Sequence, residues 1–293
     1  MGLAYAALGA AAVVWGLAFP IMKFAVERLE PLDVGVTRMA FGAAGAVGLF
    51  LVAPRAGMGP VGPALRRHAP TLLLLSLLVG YGQTMALTYG MVRTPATTAS
   101  LIPPLNPICT MLLAGWLLGE RIVGRQWVGL ALSVAGVVLL GFRNGWPTWV
   151  ELSGPLILSL APISWAFYTV LSKPILAEVR PLQLNAVTLL GGFVLLVPWS
   201  SGEMLARLSG ASPADWGALL YLGLLTMAVA YALWYFGLSR IGAAATGATA
   251  LGIPLVGVAG SWLLLGESLG PVILVAAILI LGGLHLVLGA RHG

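Results

Sequence analysis

The chain has 293 residues, 59% of them hydrophobic and only 8% charged, with a single cysteine and a formal net charge of +6. A soluble domain carries about 25% charged residues, so a water-exposed globule is excluded, and the lone Cys109 excludes an internal disulfide or a cysteine-based metal cluster. The positive balance does not mark a nucleic-acid partner, because the basic residues stand singly among short loops and form no block.

Cutting the chain at its charged residues leaves ten charge-free runs of 16 residues or more: 1–22, 39–54, 69–92, 94–119, 126–142, 152–172, 181–202, 216–239, 241–266 and 268–290. A bilayer core about 30 Å thick is crossed by roughly 20 apolar residues of helix. Lipid cannot satisfy backbone groups, and these runs exceed barrel strands of roughly 10 residues, so each is expected to be a helix. The expected fold is therefore all-α: a polytopic membrane protein of ten transmembrane helices, with its function inside the bundle. The first run is expected to be a retained span rather than a cleavable signal, since no basic segment precedes it and nine more runs follow.

The first run carries Trp15 deep within the span and ends at Lys23, an interfacial anchor or a gate residue pairing with Glu27. Arg38 is the one cation inside a span, about two turns from its outer end. An arginine at the bilayer centre costs roughly 2.5–3.5 kcal/mol on insertion scales, so Arg38 snorkels to the interface, ties spans together or holds a carboxylate. The third run holds Tyr81, Gln83, Thr84, Thr88 and Tyr89. Tyr81, Thr84 and Thr88 are three and four apart and share one face of a regular helix, as cavity lining or as interhelical glue. The fourth run carries Pro103, Pro104 and Pro107 around Asn106. Proline removes backbone donors, so a broken helix there would offer termini to an ammonium or a carboxylate; a packing kink is the alternative. Cys109 reads as a small packing residue. The sixth run places Trp165 near its middle with Tyr168 one turn on, and Lys173 at its end. In the eighth run Tyr231, Trp234 and Tyr235 form an aromatic face, either core or ligand box. Pro254, flanked by Gly252 and Gly257 in the ninth run, is a hinge candidate along with Pro104 and Pro107. His285 stands within the tenth run.

The loops carry topology. With the N-terminus cytoplasmic, the inside loops hold nine basic residues (Arg55, Arg66, Arg67, Arg121, Arg125, Lys173, Arg180, Arg240, Arg291). The outside holds five (Lys23, Arg28, Arg93, Arg143, Arg207). Both termini are thus expected in the cytoplasm. The chain also repeats itself. A shift of 150 places Trp15 on Trp165, Lys23 on Lys173, Pro31 on Pro181 and Gly42 on Gly192. Beyond the third run a shift of 147 places Gly90 on Gly237, Arg93 on Arg240, Pro107 on Pro254, Gly119-Glu120 on Gly266-Glu267 and Gly136 on Gly283. Each half, 1–150 and 151–293, holds five runs. Five is odd, so the second half enters the membrane from the other side, an inverted repeat of the kind used for alternating access to a midplane site.

Several stretches resemble a known family. Trp15-Gly16-Leu17-Ala18-Phe19-Pro20-Ile21-Met22-Lys23 is similar to the opening of EamA-type repeats in the drug/metabolite transporter superfamily, as is Glu30-Pro31-Leu32 followed by Arg38. The similarity is strongest at Ala99-Ser100-Leu101, Pro104-Leu105-Asn106-Pro107, Leu118-Gly119-Glu120-Arg121, Gln126-Trp127-Val128-Gly129 and Ala135-Gly136. The second copy keeps Pro254, Gly266-Glu267 and Gly282-Gly283 but has Ile253 and Thr188 where the first has Asn106 and Arg38. The resemblance spans nearly the whole chain and implies a ten-helix exporter of small metabolites in a bacterial inner (plasma) membrane. Within the family it resembles YddG-type exporters of aromatic and other amino acids.

A neutral amino acid bound at the midplane needs donors and acceptors in a mostly apolar cavity. The candidate substrate-binding residues are Trp15, Tyr81, Gln83, Asn106, Trp165, Tyr168, Tyr231 and Trp234, with Lys23, Arg38, Pro104, Pro107 and Pro254 as possible gate or hinge positions. The alternative is a carrier of nucleotide sugars, phosphate esters or drugs; anionic ligands would demand several cavity cations. A channel is disfavoured by the lack of charged pore rings. No His/Asp/Glu cluster, phosphate-binding loop or intramembrane carboxylate suggests an enzyme. No cofactor, metal or obligate protein partner is expected; a monomer with its small-molecule substrate and the lipid bilayer suffices.

Overall fold

The computed structural model describes residues 1–293 apart from 53–60, 103–104, 120, 143–144 and 290–293, with backbone alone at 61, 118 and 241–248. The described residues are all-helical. In chain order the main helices are α1 (Gly2–Arg28), α2 (Pro31–Val52), α3 (Ala69–Val92), α4 (Asn106–Leu118), α5 (Gly124–Gly141), α6 (Trp149–Leu176), α7 (Pro181–Trp199), α8 (213–250), α9 (Gly252–Leu265) and α10 (Pro271–Gly289). Eight are long and apolar enough to cross a membrane. The two shorter ones, α4 and α9, have 13 and 14 residues. At about 1.5 Å per residue each spans roughly 20 Å, less than a bilayer core.

Both short helices are delimited by the same chemistry. Pro107 is the second residue of α4 and Pro254 the third of α9. A first-turn proline has no intrahelical bond to lose, and its fixed φ suits the helix. These prolines therefore open helices rather than kink them; Pro104 lies outside the described residues. At the other end Gly119 (φ 66°) and Gly266 (φ 67°) adopt the left-handed conformation that closes a helix, which costs a glycine little. The run 94–119 is accordingly split: a short helix Ala96–Ser100 comes first, and α4 restarts at Asn106.

Two helices depart from α geometry along their length. Ser76–Gln83 in α3 and Tyr221–Val229 in α8 are π-helical. Bonding from i to i+5 widens the turn and rotates successive side chains by less than the α-helical angle. The face a residue presents therefore cannot be read from a 3.6-residue period there.

Helix packing follows an exchange pattern. α1 packs on α8 and α9 while α6 packs on α3 and α4; α2 packs on α8 while α7 packs on α3; α2 meets α7, and α5 meets α10. The same residues recur under the shifts of 150 and 147. Gly90 lies against Leu158, and Gly237 against Leu8. Gly16 faces Val256, and Ala166 packs in a cluster with Cys109. Gly80 abuts Gly192, and Met227 abuts Gly42. The ion pair of Arg28 with Asp215 (2.6 Å) is matched by that of Glu178 with His68 (3.2 Å). Close approach at the glycines replaces the hydrophobic drive that lipid cannot supply.

Candidate functional site

The central cavity has a volume of about 400 Å³. It takes side chains from α1, α2, α3, α4, α6, α7, α8, α9 and α10, and its lining is predominantly apolar. One wall is a continuous set of aromatic rings. Trp15 contacts Trp234 (5.3 Å between centroids) and Tyr231 (5.2 Å, edge-on). Tyr231 contacts Trp165 (5.7 Å) and Tyr235 (6.1 Å), and Trp165 stacks on Tyr168 (5.2 Å). The two repeat-matched tryptophans thus meet the same tyrosine, joining α1, α6 and α8. Pairs of this kind contribute about 0.5–1.5 kcal/mol each beyond their burial.

The polar groups are few. The π-helical stretch of α8 presents carbonyls that side chains from other helices use: Trp15 Nε1 donates to Thr226 O (2.9 Å), and Asn185 Nδ2 to Met227 O (3.2 Å). In α3 the Thr84 hydroxyl donates to Val79 O (3.5 Å), five residues back, and Gln83 lies beside it on the cavity. Arg38 is 7% exposed and lines the cavity, with Nε and Nη1 buried and lacking a hydrogen-bond partner. Asn106 Oδ1 is likewise buried without a partner.

Of the residues singled out from sequence, the cavity gathers Trp15, Arg38, Gln83, Asn106, Pro107, Trp165, Tyr168, Tyr231 and Trp234. It does not include Tyr81. The π-helical phase of α3 turns Gln83 and Thr84 toward the cavity, while the Tyr81 ring lies 6.3 Å from Trp199 against the hydrophobic core. Lys23 and Pro254 also lie off the cavity. Lys23 Nζ donates to Met91 O (3.2 Å) and Val92 O (3.1 Å) and pairs with Glu27 (3.3 Å). With Arg93, Thr97, Glu267 and Ser268 it lines a separate polar recess, where Glu267 accepts from the backbone N–H groups of Ala96 (2.7 Å) and Thr97 (2.8 Å). Asn185 and Thr226 were missed by sequence reasoning. A buried amide inside the run 181–202 is a weaker anomaly than an intramembrane cation and was the available signal.

Two ion pairs sit at helix ends on the rim of the bundle. Arg207 makes two bonds to the Asp33 carboxylate (2.7 and 2.8 Å), which holds the guanidinium above its usual range. The His68 hydrogen bond, with Arg67 nearby, holds the Glu178 carboxyl below its usual range. Among the described residues no group of three or more His, Cys, Asp or Glu is placed to hold a metal ion.

Comparison with known proteins places this arrangement in context. The model of the EamA-like transporter family matches residues 2–142 and 152–289. A probable terminal-alkyne amino-acid exporter of Streptantibioticus cattleyicolor is 28% identical over 278 residues, covering 94% of this chain and 90% of that protein. A probable amino-acid metabolite efflux pump of Escherichia coli is 28% identical over 300 residues, covering 95% and 93%. A solved crystal structure superposes with a TM-score of 0.65 at 20% identity, covering 95% of this chain and 94% of that one, a likeness of fold.

Proposed function

The chain belongs to the EamA-like transporter family, and we propose that it exports neutral amino acids, with large apolar and aromatic side chains accepted, by alternating access to the central cavity. It is an integral membrane protein with eight apolar helices of spanning length. The observation that carries the substrate class is the cavity lining: a wall of six aromatic rings with Arg38 as its one cation among the described residues. A volume of about 400 Å³ falls in the range of small-molecule sites, about 300–1,000 Å³. Aromatic walls bury a large apolar side chain with little entropy loss of their own. A phosphate ester or nucleotide sugar would ask for several cations, and the lining offers one. Two relatives whose names specify amino acids or their metabolites point the same way.

For the mechanism, we propose two inverted repeats, 1–150 and 151–293, each of four long helices and one short one (α4 or α9). The exchange pattern of helix contacts supports this reading, as do the matched glycine and ion-pair positions. Two nearly equivalent halves can swap shapes and so open the cavity to either side. The basic-residue bias supports cytoplasmic termini in a plasma membrane. The test is uptake by vesicles containing the purified protein. Neutral amino acids such as L-leucine and L-phenylalanine are expected to enter faster than aspartate, lysine or sugar phosphates, and to exchange one for one in counterflow. Faster phosphate-ester transport would overturn the substrate class; flux without counterflow would overturn the carrier.

A further inference from the structure

The interior holds one charge that nothing in the described protein neutralises. Arg38 is 7% exposed, faces the cavity, and keeps Nε and Nη1 without partners. The described carboxylates are engaged elsewhere: Glu27 with Lys23, Asp33 and Glu203 with Arg207, Glu151 with Thr148, Glu178 with Arg67 and His68, Asp215 with Arg28, and Glu267 with the backbone of Ala96 and Thr97. Glu30 is exposed at the turn between α1 and α2. A buried guanidinium is costly without a counter-charge and is tolerated where it has work to do.

We propose that Arg38 receives the carboxylate of the transported molecule, and that Asn106 Oδ1 on the same cavity accepts from its ammonium group. This rests on the reading of the cavity as an amino-acid site. A guanidinium matches a carboxylate in charge and in planar donor geometry, and such bonds are about twice as strong as neutral ones. The free acceptor at Asn106 supplies the complementary group, and the electron-rich faces of the aromatic wall favour the ammonium further. The second half cannot offer the same anchor. Thr188 stands at the position matching Arg38, and its hydroxyl already donates to Leu184 O (2.8 Å) and Asn185 O (3.2 Å). The carboxylate therefore binds to one half only, and the substrate is held in a fixed orientation. Recognition becomes selective for an acid: an amide offers only a neutral acceptor and an amine none, so the Arg38 charge stays uncompensated, and such a mismatch is rejected.

The experiment measures ligand-induced thermal shifts and affinities of the purified full chain for L-phenylalanine, 3-phenylpropionate, L-phenylalaninamide and phenethylamine. The two carboxylates are expected to bind about tenfold or more tightly than the amide and the amine, the loss expected for one charged hydrogen bond. Arg38→Gln is expected to abolish that preference and Arg38→Lys to restore part of it. The comparison within the unmodified protein stands even if Arg38→Gln fails to fold. If phenylalanine is not bound but 3-phenylpropionate is, in an Arg38-dependent way, the amino-acid reading falls and the anchor holds. If no carboxylate binds, if the amide binds as tightly as the acid, or if Arg38→Gln keeps the preference, the anchor is overturned.

Discussion

Trp165 and Tyr81 lie on helices that both touch the cavity, and they call for opposite outcomes on substitution. Trp165 joins Tyr168 to Tyr231 in the aromatic wall and faces the void. Trp165→Ala removes ring contacts from a surface that is already open. Losing about 1.4 kcal/mol of ligand contact is a tenfold loss of affinity. Vesicle uptake is therefore expected to fall about tenfold or more, while the unfolding temperature of the ligand-free protein changes by only a few degrees. Tyr81 packs on the core beside Trp199. Tyr81→Ala is expected to destabilise the protein by about 1–3 kcal/mol and to leave the ligand-induced thermal shift intact. The aromatic wall and Arg38 were legible in the sequence because a polar tip or a charge in an apolar span needs a partner. Tyr81 packs on the core while Gln83 and Thr84 line the cavity because the π-helical turn of α3 breaks the 3.6-residue period. Asn185 was passed over because a short amide looks unremarkable next to tryptophan and tyrosine.

Helix contacts in the bundle depend on absent side chains. A Cβ on Gly192 would fall inside the van der Waals shell of Gly80 Cα, backbone against backbone, and neither α3 nor α7 can yield without moving whole. Gly192→Ala is expected to destabilise by about 1–3 kcal/mol, as overpacking does. Gly282→Ala on α10 meets nothing within 4 Å and is expected to be neutral or to gain up to about 1 kcal/mol of helix propensity. Thermal unfolding of the two variants side by side checks the pair; equal stabilities would mean that α3 and α7 do not meet at this point. Element positions were legible because every charge-free run of spanning length had to be helical. Element ends were less so. Arg240 was taken as a boundary, yet α8 runs through it to Ala250, the guanidinium lying 3.9 Å from the centroid of the Phe236 ring. A long cationic side chain can lie along a helix and reach outward, so a charge does not terminate a helix as a glycine or proline does. The shortness of α4 and α9 was hidden for the complementary reason: their sequences are apolar throughout, and Pro107, Pro254, Gly119 and Gly266 set their limits.

At the scale of the whole molecule the sequence register and the packing agree, since the shifts of 150 and 147 that align the halves also relate Gly90–Leu158 to Gly237–Leu8 across the bundle. Two similar halves permit alternating access but say nothing about what drives it. Proton coupling through a carrier asks for a titratable group in the substrate site, usually an acid or a histidine inside a span. The charged or ionisable side chains on the cavity are Arg38, Tyr168, Tyr231 and Tyr235, residue types that keep one charge state between pH 5 and 8 in water. Among the described residues all eight acids fall near helix ends or in loops. His285 is exposed on α10, whose cavity-lining residues are Leu284 and Leu288. A sodium site also usually recruits carboxylates. Transport is accordingly expected to run down the substrate's own gradient, with the same uptake whether or not a pH or sodium gradient is imposed. The measurement is the time course of L-phenylalanine uptake into proteoliposomes with each gradient, before and after an ionophore. Accumulation above equilibrium that collapses with the ionophore would show coupling. Loss of that accumulation in His285→Gln would then place the proton on the outer face of α10, with the driving ion bound apart from the substrate.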